Sequence, residues 1–95
     1  MANSTELIEV TVKNREAQIQ YLLDKLQEEA AEVIQAVSKI RRFGPNNHHP
    51  ERTQTNLQEL DNEVEDLLAI VNRLEDLNYL CIHPGIVHEK ARQLC

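Results

Sequence analysis

From residue 14 to about residue 42 apolar side chains return at steps of three and four: Ile19, Leu22, Leu26, Ala30, Val33, Val37 and Ile40. Such steps follow the turn of an α-helix, so the pattern predicts one long amphipathic helix. Asn14 is placed to cap its start, and Gly44-Pro45 to end it, because glycine suits the left-handed terminal position and proline cannot continue the ladder. Upstream, Glu6 to Lys13 carries Val10-Thr11-Val12, a β-branched triplet that weakens helix propensity. That stretch is expected as a short preceding helix capped by Ser4 or Thr5.

Residues 44–55, rich in turn formers and containing two prolines, are expected as a loop. A second periodic run follows: Leu57, Leu60, Val64, Leu67, Leu68, Val71 and Leu74, ending near Asn78. Residues 57–78 in helix span about 33 Å at 1.5 Å per residue, comparable with the first run. Two long helices joined by a loop read as an antiparallel hairpin. His83-Pro84-Gly85 breaks the chain again, and Ile86 to Leu94 reads as a short terminal helix. The expected fold is all-α, one domain over residues 1–95, with a long-helix hairpin and short terminal helices.

Composition agrees: two Gly, three Pro, no Trp and one Phe leave a chain suited to helix rather than sheet. A chain of 95 residues buries only ~60–65% of its unfolded surface, and few aromatics are available to fill a core, so self-association into a homo-oligomer is expected. A net charge of −6 without a basic cluster argues against nucleic acid as a partner, because binding a phosphate backbone requires a basic surface that displaces counterions. No apolar run approaches the ~18–20 residues of a membrane span, and the start of the chain lacks signal-peptide character, so no membrane partner and a cytoplasmic location are expected. Cys81 and Cys95 form no C-x-x-C pair and read as reduced thiols.

The acids change the picture. At 100° per residue, Glu29 lies about −60° from the Leu26 direction, Glu32 about −120° and Lys39 about −140°. Glu29 therefore borders the apolar stripe. In the second helix, Glu63, Asp66, Ile70 and Leu77 share a sector about −100° to −160° from Val64, so that helix is apolar on two sides. Each helix carries an acidic i,i+3 pair, Glu29/Glu32 and Glu63/Asp66, and antiparallel packing can oppose them. Four such groups repel unless a cation sits among them. An all-oxygen set suits Mg²⁺ or Mn²⁺, and magnesium takes phosphate oxygens as further ligands, which makes a polyphosphate the natural substrate class. The alternative is a solvated acidic face with Lys25 paired to Glu29, and Lys39 answering only to the helix dipole.

Glu28-Glu29-Ala30-Ala31-Glu32 followed by Glu63-Val64-Glu65-Asp66 resembles the E-E-x-x-E and E-x-x-D motifs of the MazG-like all-α nucleoside triphosphate pyrophosphohydrolases. The stretch Leu26 to Gly44, ending Ser38-Lys39-Ile40-Arg41-Arg42-Phe43-Gly44, is similar to the first core helix of small phage and bacterial members, and Asp66 to Val71 to their second. The likeness covers residues 20–75. It implies Glu29, Glu32, Glu63 and Asp66 as magnesium ligands, and Lys39 with Arg42 as phosphate contacts. It also implies hydrolysis of (deoxy)nucleoside triphosphates to monophosphate and pyrophosphate, and a dimer or tetramer whose helices complete a four-helix bundle. A relative hydrolysing phosphoribosyl-ATP is the enzymatic alternative, and a non-catalytic helical assembly module the second class. The 44–55 loop reads as an insertion. Phe43, Tyr21 and Tyr79 are the aromatics available to stack on a base, and His48, His49, His83 and His88 are assigned no ligand role.

Overall fold

The computed structural model describes residues 4–94, the side chains of residues 4 and 6–12 excepted; the first three residues and Cys95, with its expected thiol, lie outside it. Regular structure among the described residues is helical: α1 (Ser4–Phe43), α2 (Asn56–Asp76) and α3 (Pro84–Gln93). The helix α1 is 40 residues long, about 60 Å at 1.5 Å per residue, and matches the 59 Å longest extent of the molecule.

The expected break before Asn14 does not occur, and with it goes the separate N-terminal helix. β-branched residues lower helix propensity by only fractions of a kcal/mol each, less than ~0.7, and extending an existing helix avoids the nucleation step. Val10-Thr11-Val12 is therefore carried as part of α1, and Asn14 lies within the helix rather than capping one. Only one short terminal helix, α3, remains of the plural expected. It begins at Pro84, two residues earlier than Ile86, because proline lacks only an N–H that a first turn leaves unpaired anyway.

The far end of α1 behaves as its sequence suggests. Gly44 takes φ 88°, its N–H donates to Ile40 O at 2.7 Å, and the helix stops. A capping box then starts α2: Thr55 Oγ1 accepts from Gln58 N at 3.1 Å while Gln58 Oε1 accepts from Thr55 N at 2.8 Å. Asn78 at φ 58° turns the chain away after α2.

Two contacts set the direction of packing. Arg15, early in α1, donates from Nε and Nη2 to Leu77 O at 3.1 and 2.7 Å, and so satisfies a carbonyl that α2 leaves at its end. At the other end, Lys39 Nζ lies 3.3 Å from Glu59 Oε2. The hairpin is antiparallel, and in that register residues 29–32 face residues 63–66.

Both helices are turned from the orientation their apolar stripes alone suggest. On α1 the buried residues are Ile19, Leu22 and Ala36, with Glu29 half-buried between the last two; Leu22, Glu29 and Ala36 stand seven residues apart. On α2 the buried and half-buried positions are Asn56, Glu59, Leu60, Glu63, Val64, Leu67, Ile70, Val71, Leu74, Glu75 and Leu77. The seam on α2 thus takes in the second apolar sector together with Leu60, Val64, Leu67, Val71 and Leu74 of the main stripe, and a few aliphatic residues face outward: Ile34, outside the first stripe, is 67% exposed, Leu68 54%, and Val37 and Leu57 are also exposed. The helix α3 packs against neither long helix. Among the described residues no helix is long and apolar enough to cross a membrane.

Leu74 is wholly enclosed, with 0% exposure. Replacing it with alanine removes packing from the seam in the last turn of α2, and Leu74→Ala is expected to lower unfolding free energy by about 2–5 kcal/mol in urea titration.

Candidate metal centre

Where the seam passes mid-hairpin, Glu29 and Glu32 project from α1 and Glu63 from α2. Each offers a carboxylate oxygen within 4.8 Å of the others. Their depths differ: Glu29 and Glu63 are half-buried and Glu32 is exposed, so the group opens to solvent on Glu32's side. Neither Glu29 Oε2 nor Glu63 Oε2, both shielded from solvent, has a hydrogen-bond partner. Ionised carboxylates only accept, and nothing here donates to these two atoms. The group offers three hard oxygen donors, the ligand type that hard divalent cations take.

The proton affinities carry the same strain. Hydrogen bonding with Glu32, then burial and the charges of Glu32 and Glu29, push the Glu63 carboxyl up to about 7. Burial, then the charge and hydrogen bonding of Glu32, with the charge of Asp66 adding, raises Glu29 as well. Both shifts favour the protonated carboxyl, which lessens the repulsion among the three acids.

Asp66 is exposed one turn further along α2. It is near enough to Glu29 to act on it by charge and lines a cleft with it, yet it stands outside the group of three. Lys39 borders the next cleft along the seam, which also contains Glu32, Glu63, Arg52 and Glu59. Its ammonium is bound by Glu59. Arg42 lies beyond, its guanidinium 5.4 Å from the centre of the Phe43 ring. Lys25 pairs with Glu28 at 3.4 Å, not with Glu29 as the spacing had suggested.

Two residues of this neighbourhood escaped the sequence reading. Glu59 receives both Lys39 and Arg52, and its side chain is only 13% exposed. Burial pushes its carboxyl upward, but the hydrogen bonds and charges of Arg52 and Lys39 outweigh that and leave it below the usual carboxylate range. One turn before Glu63 on the same helix, Glu59 was within reach of periodicity. Arg52 was not, since nothing in an irregular loop shows where an arginine returns to. His83 begins α3 without a side-chain cap, its Nε2 3.8 Å from Cys81 Sγ.

Compared with known proteins, the chain matches no family model, no curated protein and no solved structure.

A pH dependence follows from Glu63. Its folded-state value lies above that of an unfolded glutamate, so the folded chain binds the extra proton, and metal-free stability is greatest below the ordinary carboxylate range. Thermal melts without metal should show stability falling as pH rises from about 4.5 to about 7, then levelling in this respect. Mn²⁺ titrations should show affinity rising across the same window, because cation and proton compete for one oxygen set.

Proposed function

We propose that this chain is a Mg²⁺-dependent hydrolase of (deoxy)nucleoside triphosphates that releases monophosphate and pyrophosphate, as its likeness to the MazG-like pyrophosphohydrolases implies. The observation that carries this reading is the meeting of Glu29, Glu32 and Glu63 across the hairpin, with buried oxygens left without a donor. Those three carboxylates hold the ion, and Asp66 stands beside Glu29 to complete the set. Magnesium bound there, with Mn²⁺ as an alternative, supplies a water of lowered pKa and neutralises charge on the phosphoryl group.

The chain's own groups divide the remaining work. Glu63 surrenders its proton when the cation arrives. Lys39, with Arg42 at the end of α1, takes phosphate charge, and to do so Lys39 exchanges the Glu59 carboxylate for a phosphate oxygen. The exposed aliphatic residues, Ile34 and Val37 on α1 with Leu57 and Leu68 on α2, supply an apolar surface for a second hairpin. A dimer or tetramer that completes a four-helix bundle covers it.

Purified protein incubated with canonical and modified (d)NTPs and with phosphoribosyl-ATP should release pyrophosphate only with Mg²⁺ or Mn²⁺. Preference for phosphoribosyl-ATP assigns the alternative activity, and inactivity across the panel favours a non-catalytic module. Glu63→Gln should abolish Mn²⁺ binding and turnover while raising the metal-free melting point, since it removes a repelling charge; each kcal/mol gained appears as roughly 4–8 °C in a domain of this size. Unaltered metal affinity in that variant would sink the proposal.

A further inference from the structure

A cavity of about 460 Å³ lies over the joint between α1 and α2, within the size range of small-molecule sites. Its walls include Phe43, His48, His49, Lys39, Arg52 and Glu59. The last three also line the smaller cleft that holds Glu32 and Glu63. The two spaces are therefore neighbours, with the Lys39–Glu59–Arg52 ion cluster at the neck between them.

The geometry points to the larger cavity as the seat of a substrate's nucleoside end, the base lying among Phe43, His48 and His49 while Lys39 and Arg52 carry phosphates at the neck. This rests on the pyrophosphohydrolase reading and names the part of the substrate that the loop selects. Three planar rings favour a base over another phosphate, and Phe43, exposed at the end of α1, has a face to stack on.

The imidazoles add direction. His48 Nδ1 meets His49 O at 2.8 Å, and facing a carbonyl it must donate. Neutral His48 therefore presents Nε2 as an acceptor. His49 Nδ1 accepts from Glu51 N at 3.2 Å, so neutral His49 presents Nε2–H as a donor. His48 N in turn donates to Asn47 Oδ1 at 3.0 Å, which steadies the start of the pair. An acceptor and a donor on successive lining residues suit the edge of a nucleobase, which offers both; a phosphate offers only acceptors and would leave His48 Nε2 unmatched. The loop that looked like an inserted spacer becomes the specificity element, and Glu59 holds Arg52 and Lys39 in place until phosphate replaces it.

The test compares two ligands by calorimetry in the presence of Mg²⁺: a non-hydrolysable deoxynucleoside triphosphate analogue and inorganic tripolyphosphate. Phe43→Leu and the double variant His48→Ala/His49→Ala should each weaken the nucleotide about tenfold, on the scale of one lost base-stacking contact, and leave tripolyphosphate affinity as it was. Glu63→Gln should weaken both. In the wild-type chain, the His48 and His49 imidazole proton resonances should shift with the nucleotide and stay still with tripolyphosphate, a readout that does not depend on any variant folding. Equal losses for both ligands in the loop variants, or nucleotide affinity indifferent to them, would overturn the inference while leaving pyrophosphohydrolysis intact. A wild-type chain that binds tripolyphosphate but no nucleotide would overturn both.

Discussion

Three carboxylates held within 4.8 Å of one another at the middle of a helix pair are the constraint around which this protein is arranged. At 4 Å each ionised pair repels by about 1 kcal/mol in water and about 4 kcal/mol at an effective dielectric of 20. A helical hairpin has simple ways to avoid this, such as turning the acids outward or placing a lysine among them. Neither is used. The cations that border the group are engaged elsewhere: Lys25 with Glu28, Lys39 and Arg52 with Glu59, and Arg73 with Asp76. Repulsion within the group, together with burial, raises the proton affinities of Glu63 and Glu29. Charge left uncompensated by the protein is what a divalent ion can use.

The same rotation of the helices accounts for the acids' depth and for the apolar surface. Turning α1 toward its acidic flank puts Ala36 in the seam, where a small side chain lets α2 approach, and it makes Glu29 a seam residue. On α2 it does the same for Glu63. The consequence on the opposite side is that Ile34, Val37, Leu57 and Leu68 are left in water. The acidic group in the seam and the aliphatic residues outside it are thus two sides of one packing choice.

The joint between the helices is the other part of the hairpin held in a fixed shape. It brings the C-terminal end of α1, with its arginines, beside the first turn of α2, and Asn56, buried there, ties the two by donating from Nδ2 to Gly44 O at 3.0 Å and from its backbone N to Asn47 O at 2.8 Å. A loop so anchored is a surface of definite shape, and the Lys39–Glu59–Arg52 cluster sets its boundary with the acidic centre.

Periodicity and turn chemistry alone were enough for the all-helical class, the two long elements, the stop at Gly44, and the placing of Glu29, Glu32 and Glu63 on facing turns, because these depend on local backbone preferences and on steps of three and four; Asp66 stays outside that group. Propensity misled at Val10-Thr11-Val12 and Asn14, where continuing an existing helix is easier than its residues suggest in isolation. The rest was decided by tertiary structure. Which edge of each stripe is covered most deeply depends on how two surfaces interlock, so the pattern placed Val37 inward where the structure buries Ala36 and exposes Val37. The same holds for the partner of Lys39 and the return of Arg52 to Glu59, since a contact across a loop is chosen by three-dimensional reach and carries no period along the chain.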